Sequence, residues 1–248
     1  MTKLLIDTRS MSGEVAPGWA KLDLCGHDQL TLEPTKEIVE RQAVGHQGQL
    51  PVIFDLEHWL LPQKMYKYIQ VADWFREIRP DLRIGYYSML PLREYWAPVH
   101  DSLGLYPEQM VWWQQQNAAL GRQRDLKGRF TSRGLVDVVD FVCPSLYAFY
   151  DDKDSGPEYS HKEWWEVYAI ANIAESRKYQ KQVYPFLWPR YHDSHAKIGL
   201  TYIGNEFLRR QIEICIEYAD GCVVWDDFTL PDAARILAAT SAIMREFT

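Results

Sequence analysis

The sequence lacks the features that define several protein classes. Its 248 residues include only four cysteines, none in a CxxC spacing, so we expect small buried thiols rather than a zinc site or a disulfide framework. No apolar run approaches the roughly 20 residues that cross a bilayer. Lys and Arg number 27 against 34 Asp and Glu, a net charge of -7, whereas nucleic-acid binding needs clustered cations. We therefore expect neither a membrane nor a nucleic acid as partner.

The chain also begins without the long apolar core of a signal peptide. Met1-Thr2-Lys3 leads directly into Leu4-Leu5-Ile6-Asp7, which resembles a first strand. A secreted protein trimmed of its leader would look the same, so the compartment is left open. No internal repeat or low-complexity tract divides the chain, and we expect residues 1–248 to form a single domain.

Aromatic residues, by contrast, are abundant. Ten Trp, fifteen Tyr and nine Phe make up 14% of the chain. Sugar-binding clefts use flat aromatic faces, which stack on the C–H face of a pyranose while hydroxyls hydrogen-bond at the rim. An aromatic-rich core would produce the same composition, so the position of each aromatic residue has to decide between the two interpretations.

Short apolar runs alternate with amphipathic stretches, which is typical of parallel strands joined by helices. Several runs are continuously apolar, as strands covered on both faces must be. The predicted strands are 4–8, 20–25, 51–57, 83–89, 140–147, 183–191 and 221–227. The pattern predicts an α/β fold, a TIM-like (β/α) barrel with about seven strands. A doubly wound open sheet is the runner-up, but the first turn has no Gly-rich phosphate loop.

The helices are marked by proline and glycine at their ends and by apolar stripes. They are predicted at 34–44, 63–79, 161–179, 205–219 and about 231–246. Asn205 is the expected N-cap of the fourth of these helices. The basic, glycine-punctuated segment 121–134 is expected to be a mobile loop, and residues 151–157 are expected to lie at the rim of the active face.

The strongest chemical feature is the segment Pro51-Val-Ile-Phe-Asp55-Leu-Glu57. Residues at i and i+2 of a strand point to the same face, about 6.6 Å apart, so Asp55 and Glu57 should project together. Two neighbouring carboxylates do not both ionise readily, and one keeps its proton to higher pH. A protonated acid beside a carboxylate is what glycoside hydrolysis requires. The alternative is that both acids only cap helices or pair with arginine.

Other polar and aromatic residues follow the apolar runs at further strand ends. They are Tyr87, Tyr147, Trp188, Tyr191, Trp225, Asp226 and Asp227. In a barrel, the carboxyl ends of all strands meet at one face. Asp55 and Glu57 are therefore predicted to be catalytic, and Tyr87, Tyr147, Trp188, Tyr191, Trp225 and Asp227 to bind substrate.

At these same positions the chain resembles the hyaluronidase family of glycoside hydrolases. Asp55-Leu-Glu57-His-Trp59 with Pro62 resembles that family's Asp-x-Glu-x-Trp segment. Four further segments resemble the family's later strands in the same order. They are Gly85-Tyr-Tyr with Pro91, Cys143-Pro-Ser-Leu-Tyr147, Val183-Tyr-Pro followed by Tyr191, and Ala219-Asp-Gly with Trp225. The resemblance covers about residues 50–227 in islands.

The resemblance implies a distorted barrel of about seven strands and a retaining mechanism in which the N-acetyl group of the substrate is the nucleophile. Glu57 would then be the general acid and later the base, and Asp55 would hold the acetamido nitrogen. Tyr147 and Tyr191 would bond around the acetamido group, and Trp225 would wall its pocket. The substrate would be a polysaccharide that contains N-acetylhexosamine, cleaved internally, and no cofactor or metal is implied.

The chain departs from that family in four respects, one of which is a shorter stretch before the Asp-x-Glu segment. It has no disulfide framework, Leu60-Leu61 replaces the arginine that follows the family's Trp, and the net charge is acidic. A neutral or cationic N-acetylhexosamine polymer is therefore as good a candidate substrate as hyaluronan.

Three other functions fit the same residues. The first is a carbohydrate-binding barrel without catalysis. The second is an ordinary two-carboxylate glycosidase in which Asp226 or Asp227 partners Glu57. The third is a metal-dependent hydrolase that uses Asp55, His192 and His195, although His-Asp-Ser-His is more often a polar loop.

Overall fold

A computed structural model describes residues 4–7, 19–46, 48–121, 123–124, 130–151, 161–227, 229–230 and 232–247. The strands are β1 (Leu4–Asp7), β2 (Asp23–Gly26), β3 (Val52–Asp55), β4 (Ile84–Tyr86), β5 (Gln123–Arg124), β6 (Phe130–Ser132), β7 (Phe141–Val142), β8 (Gln182–Val183), β9 (Phe186–Leu187) and β10 (Gly221–Val224). The helices are α1 (His27–Leu30), α2 (Lys36–Gly45), α3 (Met65–Ile78), α4 (Trp96–Ser102), α5 (Pro107–Leu120), α6 (His161–Arg177), α7 (Asn205–Tyr218) and α8 (Ala233–Met244).

The parallel strands pair one after another along the chain. β2, β3 and β4 form one parallel sheet, and a parallel bridge between Tyr87 and Cys143 continues it toward β7. β7 pairs with β8, and a second bridge, Ser145 with Phe186, leads to β9. β9, β10 and β1 complete the series. Within the described residues no pair joins β1 to β2, so the observed pairing stops short of a closed ring.

Side chains alternate between two apolar layers, as the period of a strand requires. Phe54 of β3 and Val142 of β7 belong to the large core between strands and helices, and the Phe54 ring lies edge-on against Phe75 of α3 at 5.2 Å. The side chains at the alternate positions of the strands point to the opposite face and form a second cluster. It contains Leu22, Ile53, Tyr87, Phe141, Cys143, Tyr147, Tyr184, Phe186, Trp188 and Val223. Because β3, β7, β9 and β10 all contribute to this one cluster, the sheet curves around it.

Most predicted elements are present with somewhat different limits, but α4 and α5 were not predicted. The predicted strand 140–147 is regular only at Phe141–Val142 and continues as single bridges. Gly204, rather than the predicted Asn205, is the N-cap of α7. β5 and β6 form an antiparallel pair within the segment that was predicted to be a mobile loop, so that prediction was wrong. Of residues 151–157, only Asp151 lies within the described residues.

The four cysteines are buried and none of them forms a disulfide, as predicted. Burial raises the pKa of the Cys143 and Cys215 thiols well above their usual range. In the part of the chain that is described, no helix has the length and apolarity needed to cross a membrane.

Candidate functional site

A cavity of about 430 Å³ opens where the parallel strands end. This volume lies within the range of small-molecule sites. The residues that line it come from segments distributed over the whole series of strands. They are Leu24, Asp55, Glu57, Tyr87, Arg93, Tyr147, Phe186, Trp188, His192, Asp193 and Trp225.

The two predicted catalytic acids both line this cavity. β3 ends at Asp55, so Glu57 lies two residues beyond the strand, and the prediction that it belongs to the strand was wrong. Asp55 is the last residue of β3, and its side chain points to the same face of the strand as Ile53 of the second cluster. It is half-buried. Leu56, between the two acids, is fully buried in the large core between strands and helices. Its burial fixes the backbone that carries Asp55 and Glu57.

The two carboxyl groups differ in protonation because of their surroundings. The protein atoms around Glu57 hinder its hydration and, together with the negative charge of Asp55, raise the pKa of Glu57 to about 7. The positive charge of Arg93 opposes this shift. The Glu57 side chain nevertheless keeps access to solvent through the mouth of the cavity. A carboxylic acid that is half protonated near neutral pH can both give and take a proton.

Aromatic rings form the walls. Tyr147 stacks nearly parallel to Trp225, with 6.2 Å between ring centroids and 17° between planes. Trp188 packs against both, at 5.3 Å from Tyr147 and 5.0 Å from Trp225. The Tyr87 hydroxyl donates to Ser145 Oγ at 2.9 Å. Burial raises the pKa of the Tyr87 and Tyr147 hydroxyls, so both remain protonated, and the Tyr87 proton is engaged by Ser145.

Two basic side chains that line the cavity were missed or misassigned from the sequence. Arg93, which follows β4 and Pro91, stacks its guanidinium 4.8 Å from the centroid of the Phe149 ring. The His192 ring lies 4.6 Å from that same phenyl ring, and burial lowers the His192 pKa, so the imidazole is mainly neutral at pH 7. The only sequence signal for Arg93 was its position shortly after a predicted strand. Many loop arginines share such a position, and only the fold shows that this one lines the cavity.

An ion pair beneath the site holds one wall in place. Arg190 is 1% exposed; its Nε donates to Asp226 Oδ1 at 2.6 Å and its Nη1 to Asp232 Oδ1 at 2.7 Å. Asp226 Oδ1 also accepts from the Trp188 indole at 2.9 Å. Asp226 therefore orients Trp188, and its carboxylate is already occupied.

We expect Arg190→Met to destabilise the protein strongly, because it leaves the buried Asp226 carboxylate without its cation. Breaking a buried pair from one side costs about 3–5 kcal/mol. Urea unfolding followed by fluorescence measures this change in the free energy of unfolding. Arg235→Met is the control, because Arg235 forms an exposed ion pair with the same Asp232. Its loss should cost less than about 1 kcal/mol. Equal values for the two variants would contradict the role of Arg190.

Two predicted substrate-binding residues are not among those lining the cavity. The Tyr191 hydroxyl is directed to Asp151 Oδ1 at 3.3 Å, and the residue is buried. Asp227 Oδ1 accepts from the backbone and hydroxyl of Thr229, at 2.9 and 2.6 Å, and so holds a turn. The roles predicted for these two residues stay predictions.

The geometry also separates the residues of the metal alternative. Asp55 and His192 line the cavity described above, whereas His195 lines a different one with Trp96 and Tyr150. Among the described residues, no group of three His, Cys, Asp or Glu side chains is placed to hold a metal ion.

Comparisons with known proteins give a fold and no sequence family. No family model matches the sequence, and no curated protein matches it. Two solved structures of one enzyme do resemble the chain. Bee venom hyaluronidase in complex with a hyaluronic acid tetramer is 12% identical with a TM-score of 0.60, over 100% of this chain and 84% of that one. A monoclinic crystal structure of bee venom hyaluronidase is 13% identical with a TM-score of 0.56, over 86% of this chain and 74% of that one. At these identities, the likeness shows a shared α/β fold.

Proposed function

We propose that the protein is a glycoside hydrolase that cleaves a polysaccharide containing N-acetylhexosamine, with retention and with help from the acetamido group of the substrate. The observation that carries the proposal is Glu57, a carboxylic acid with a pKa of about 7 that lines an aromatic-walled cavity beside Asp55. We also propose that β1 and β2 come together to complete a distorted barrel of seven strands, in which β8 and β9 count as one interrupted strand. The likeness to a hyaluronidase fold supports both statements.

In this mechanism, protonated Glu57 donates its proton to the oxygen of the leaving sugar. The acetamido oxygen of the sugar that stays attacks the anomeric carbon as the glycosidic bond breaks, and an oxazolinium ion forms. Glu57, now ionised, then takes a proton from water as that water attacks the anomeric carbon and reopens the ring. One carboxyl group thus performs both proton transfers, so a pKa near neutrality suits it.

Asp55 supplies the charge that this route needs. Its carboxylate lies within electrostatic reach of Glu57, whose pKa it raises. It can accept a hydrogen bond from the acetamido N–H and stabilise the positive charge that develops on the oxazolinium ring. Tyr147, buried at the cavity, can donate to the acetamido oxygen. The Tyr87 oxygen, whose proton goes to Ser145, can accept from a sugar hydroxyl, while Trp225 covers a sugar face.

The ordinary two-carboxylate scheme has less support. Asp226 is bound by Arg190 and Trp188, and Asp227 by Thr229, so both partners named for that scheme are already occupied. A carbohydrate-binding protein without catalysis would use the aromatic walls but has no use for an acid whose pKa is tuned to about 7.

Charge in the cavity favours a neutral or cationic polymer. Among the described residues, Asp55, Glu57 and Asp193 line it, against the permanent cation Arg93 and a mainly neutral His192. Like charges repel an anionic sugar from such a cavity. A panel of hyaluronan, chondroitin and a soluble chitin, assayed for release of reducing ends, tests the proposal. Cleavage of at least one polymer is expected, with the soluble chitin preferred, and cleavage of none of these or of any other N-acetylhexosamine polymer would overturn it.

The pH dependence of kcat/KM should report the ionisation of Glu57. The acid form is required for bond cleavage, so activity is expected to be lost as pH rises through about 7. Asp55→Asn removes the negative neighbour that raises this pKa, so its residual activity should be lost at lower pH than in the wild type. Rate measurements from about pH 4 to 9 on both proteins, a range that spans the ordinary and the raised pKa, check this. If kcat/KM falls at the same pH in the wild type and in Asp55→Asn, the two carboxyl groups do not interact.

A further inference from the structure

Two more cavities lie next to the candidate site: they share one residue with each other, and contacts between lining residues connect them to the first cavity. The second cavity, of about 510 Å³, is lined by Trp96, Phe149, Tyr150, His161, Ser194, His195 and Ala196. The third, of about 390 Å³, is lined by Glu94, Trp96, Ala97, His100, Gln109 and Trp112. The second and third share Trp96. Each has a volume within the range of small-molecule sites.

Phe149 joins the first cavity to the second. Its ring lines the second cavity, and it contacts His192 at 4.6 Å and the Arg93 guanidinium at 4.8 Å, both of which line the first. The backbone continues in the same direction, because His192 and Asp193 line the first cavity while Ser194 and His195 line the second. The three cavities therefore follow one another along the surface.

The aromatic side chains of the second and third cavities are held in place. Trp96 Nε1 donates to the Tyr150 hydroxyl at 3.1 Å, and the Trp96 ring stacks on His100 at 5.5 Å with 24° between planes. Tyr150 stacks in turn on the buried His161 at 5.3 Å. Rigid aromatic faces bind with little loss of conformational entropy, which suits them to sugar rings.

Trp112 lines the third cavity and is widely exposed to solvent. Its neighbour Trp113 is 1% exposed and donates its indole N–H to Leu92 O at 2.7 Å, whereas Trp112 is 56% exposed. Consecutive residues of a helix point about 100° apart, so α5 anchors itself with one indole and presents the other. Leu105, Tyr106 and Val111, all about half exposed, lie beside it in sequence.

The charges of this surface fit an uncharged sugar chain. Among the described residues, no carboxylate lines the second cavity. The one in the third belongs to Glu94, which accepts from the backbone N–H groups of Trp96 and Ala97 at 2.9 and 3.2 Å and so caps α4.

We propose that the second and third cavities, with Trp112 at their far end, bind successive sugar units of the polysaccharide that is cleaved at Glu57. This inference rests on the proposed function for the position of the cleaved bond, but the binding of the sugar chain does not depend on catalysis. The surface runs to one side of Glu57, and a chain must span all three cavities to use it fully.

Trp112→Ala tests the proposal through the dependence on chain length. It is expected to lower kcat/KM on the polymer at least about tenfold, the scale of a lost aromatic anchor, and to leave kcat/KM on the shortest oligosaccharide that is cleaved unchanged. Tyr218→Ala is the control, because Tyr218 is an exposed aromatic at the end of α7, which leads into the start of β10 and so lies at the opposite end of the strands. It should change neither value. Equal losses on polymer and oligosaccharide, or no loss on the polymer, would overturn the proposal.

A binding measurement separates failure of this inference from failure of the proposed function. Affinity electrophoresis in gels containing soluble chitin, hyaluronan or chondroitin compares Glu57→Gln with the Glu57→Gln, Trp112→Ala double variant. Retardation that depends on Trp112 supports the binding surface, even if the wild type cleaves none of the three. Retardation that is equal for both proteins, or absent for both, would overturn it whatever the activity of Glu57.

Discussion

Glu57→Gln should lower turnover at least about hundredfold on the polymer that the wild type cleaves, the usual contribution of a general acid. The amide keeps the size of the carboxyl group and its place in the cavity, but it has no acidic proton to donate and cannot become a base. The loss should therefore fall on kcat, while the affinity for substrate stays close to that of the wild type. Initial rates over a range of polymer concentrations measure both quantities.

The same variant carries its own control for folding. The pKa of Glu57 in the folded protein, about 7, lies above its ordinary value of 4.5, so the fold disfavours the ionised form. The stability that this group contributes is complete below the ordinary pKa of 4.5 and is lost as pH rises through about 7. The amide introduced by Glu57→Gln cannot ionise, so the Tm of the variant relative to wild type should be higher above the raised pKa than below the ordinary one. A variant that folds in this way and keeps wild-type turnover would rule out Glu57 as the acid.

Asp55→Asn is expected to discriminate between substrates. On a sugar with an acetamido group at C2, the loss should be about 10²-fold or more, the scale of removing one group that stabilises developing charge. On the matching sugar with a hydroxyl at C2, no oxazolinium ion forms, so the variant should lose far less of whatever small activity the wild type has. Paired aryl glycosides that differ only at C2 make the comparison direct.

The opposite pattern would also be informative. Equal losses on the two glycosides would mean that Asp55 acts on every substrate alike, as a nucleophile or general electrostatic partner would, and would favour the two-carboxylate scheme. Asp193→Asn is the matched control, because Asp193 also lines the cavity but its side chain is 65% exposed. It should show no preference between the glycosides.

Much of the strand order and of the site could be predicted from the sequence because strand alternation and strand ends carry that information. Apolar runs located the parallel strands, although the run 183–191 divides into β8 and β9. The residues at the ends of these runs include Asp55, Glu57, Tyr147, Trp188 and Trp225, which the structure brings to one cavity. The alternation along β3 also places Phe54 and Leu56 in the core between strands and helices, opposite to Asp55. These are local properties, and each depends on only a few neighbouring residues.

The features that could not be predicted depend on contacts distant in sequence. Asp226 looked like a candidate partner for Glu57, and only folding reveals that Arg190 and Trp188 occupy it. The Arg93 guanidinium is held at the cavity by stacking on Phe149, which lies far from it along the chain. The pairing of β5 with β6 was missed because the glycines and charges of this segment resemble those of a loop. Backbone hydrogen bonds hold such a pair together, and residue composition alone does not predict them.

The four buried thiols bear on how the folded protein responds to its redox surroundings. Thiolate, and not thiol, attacks disulfides and is oxidised. Cys143 and Cys215 are shielded from solvent, and burial disfavours their thiolate forms, while Cys25 and Cys222 are enclosed in strands. The folded chain should therefore keep the same covalent structure in oxidising and in reducing solution. Its stability then rests on noncovalent interactions, and its thiols become open to oxidation as the chain unfolds.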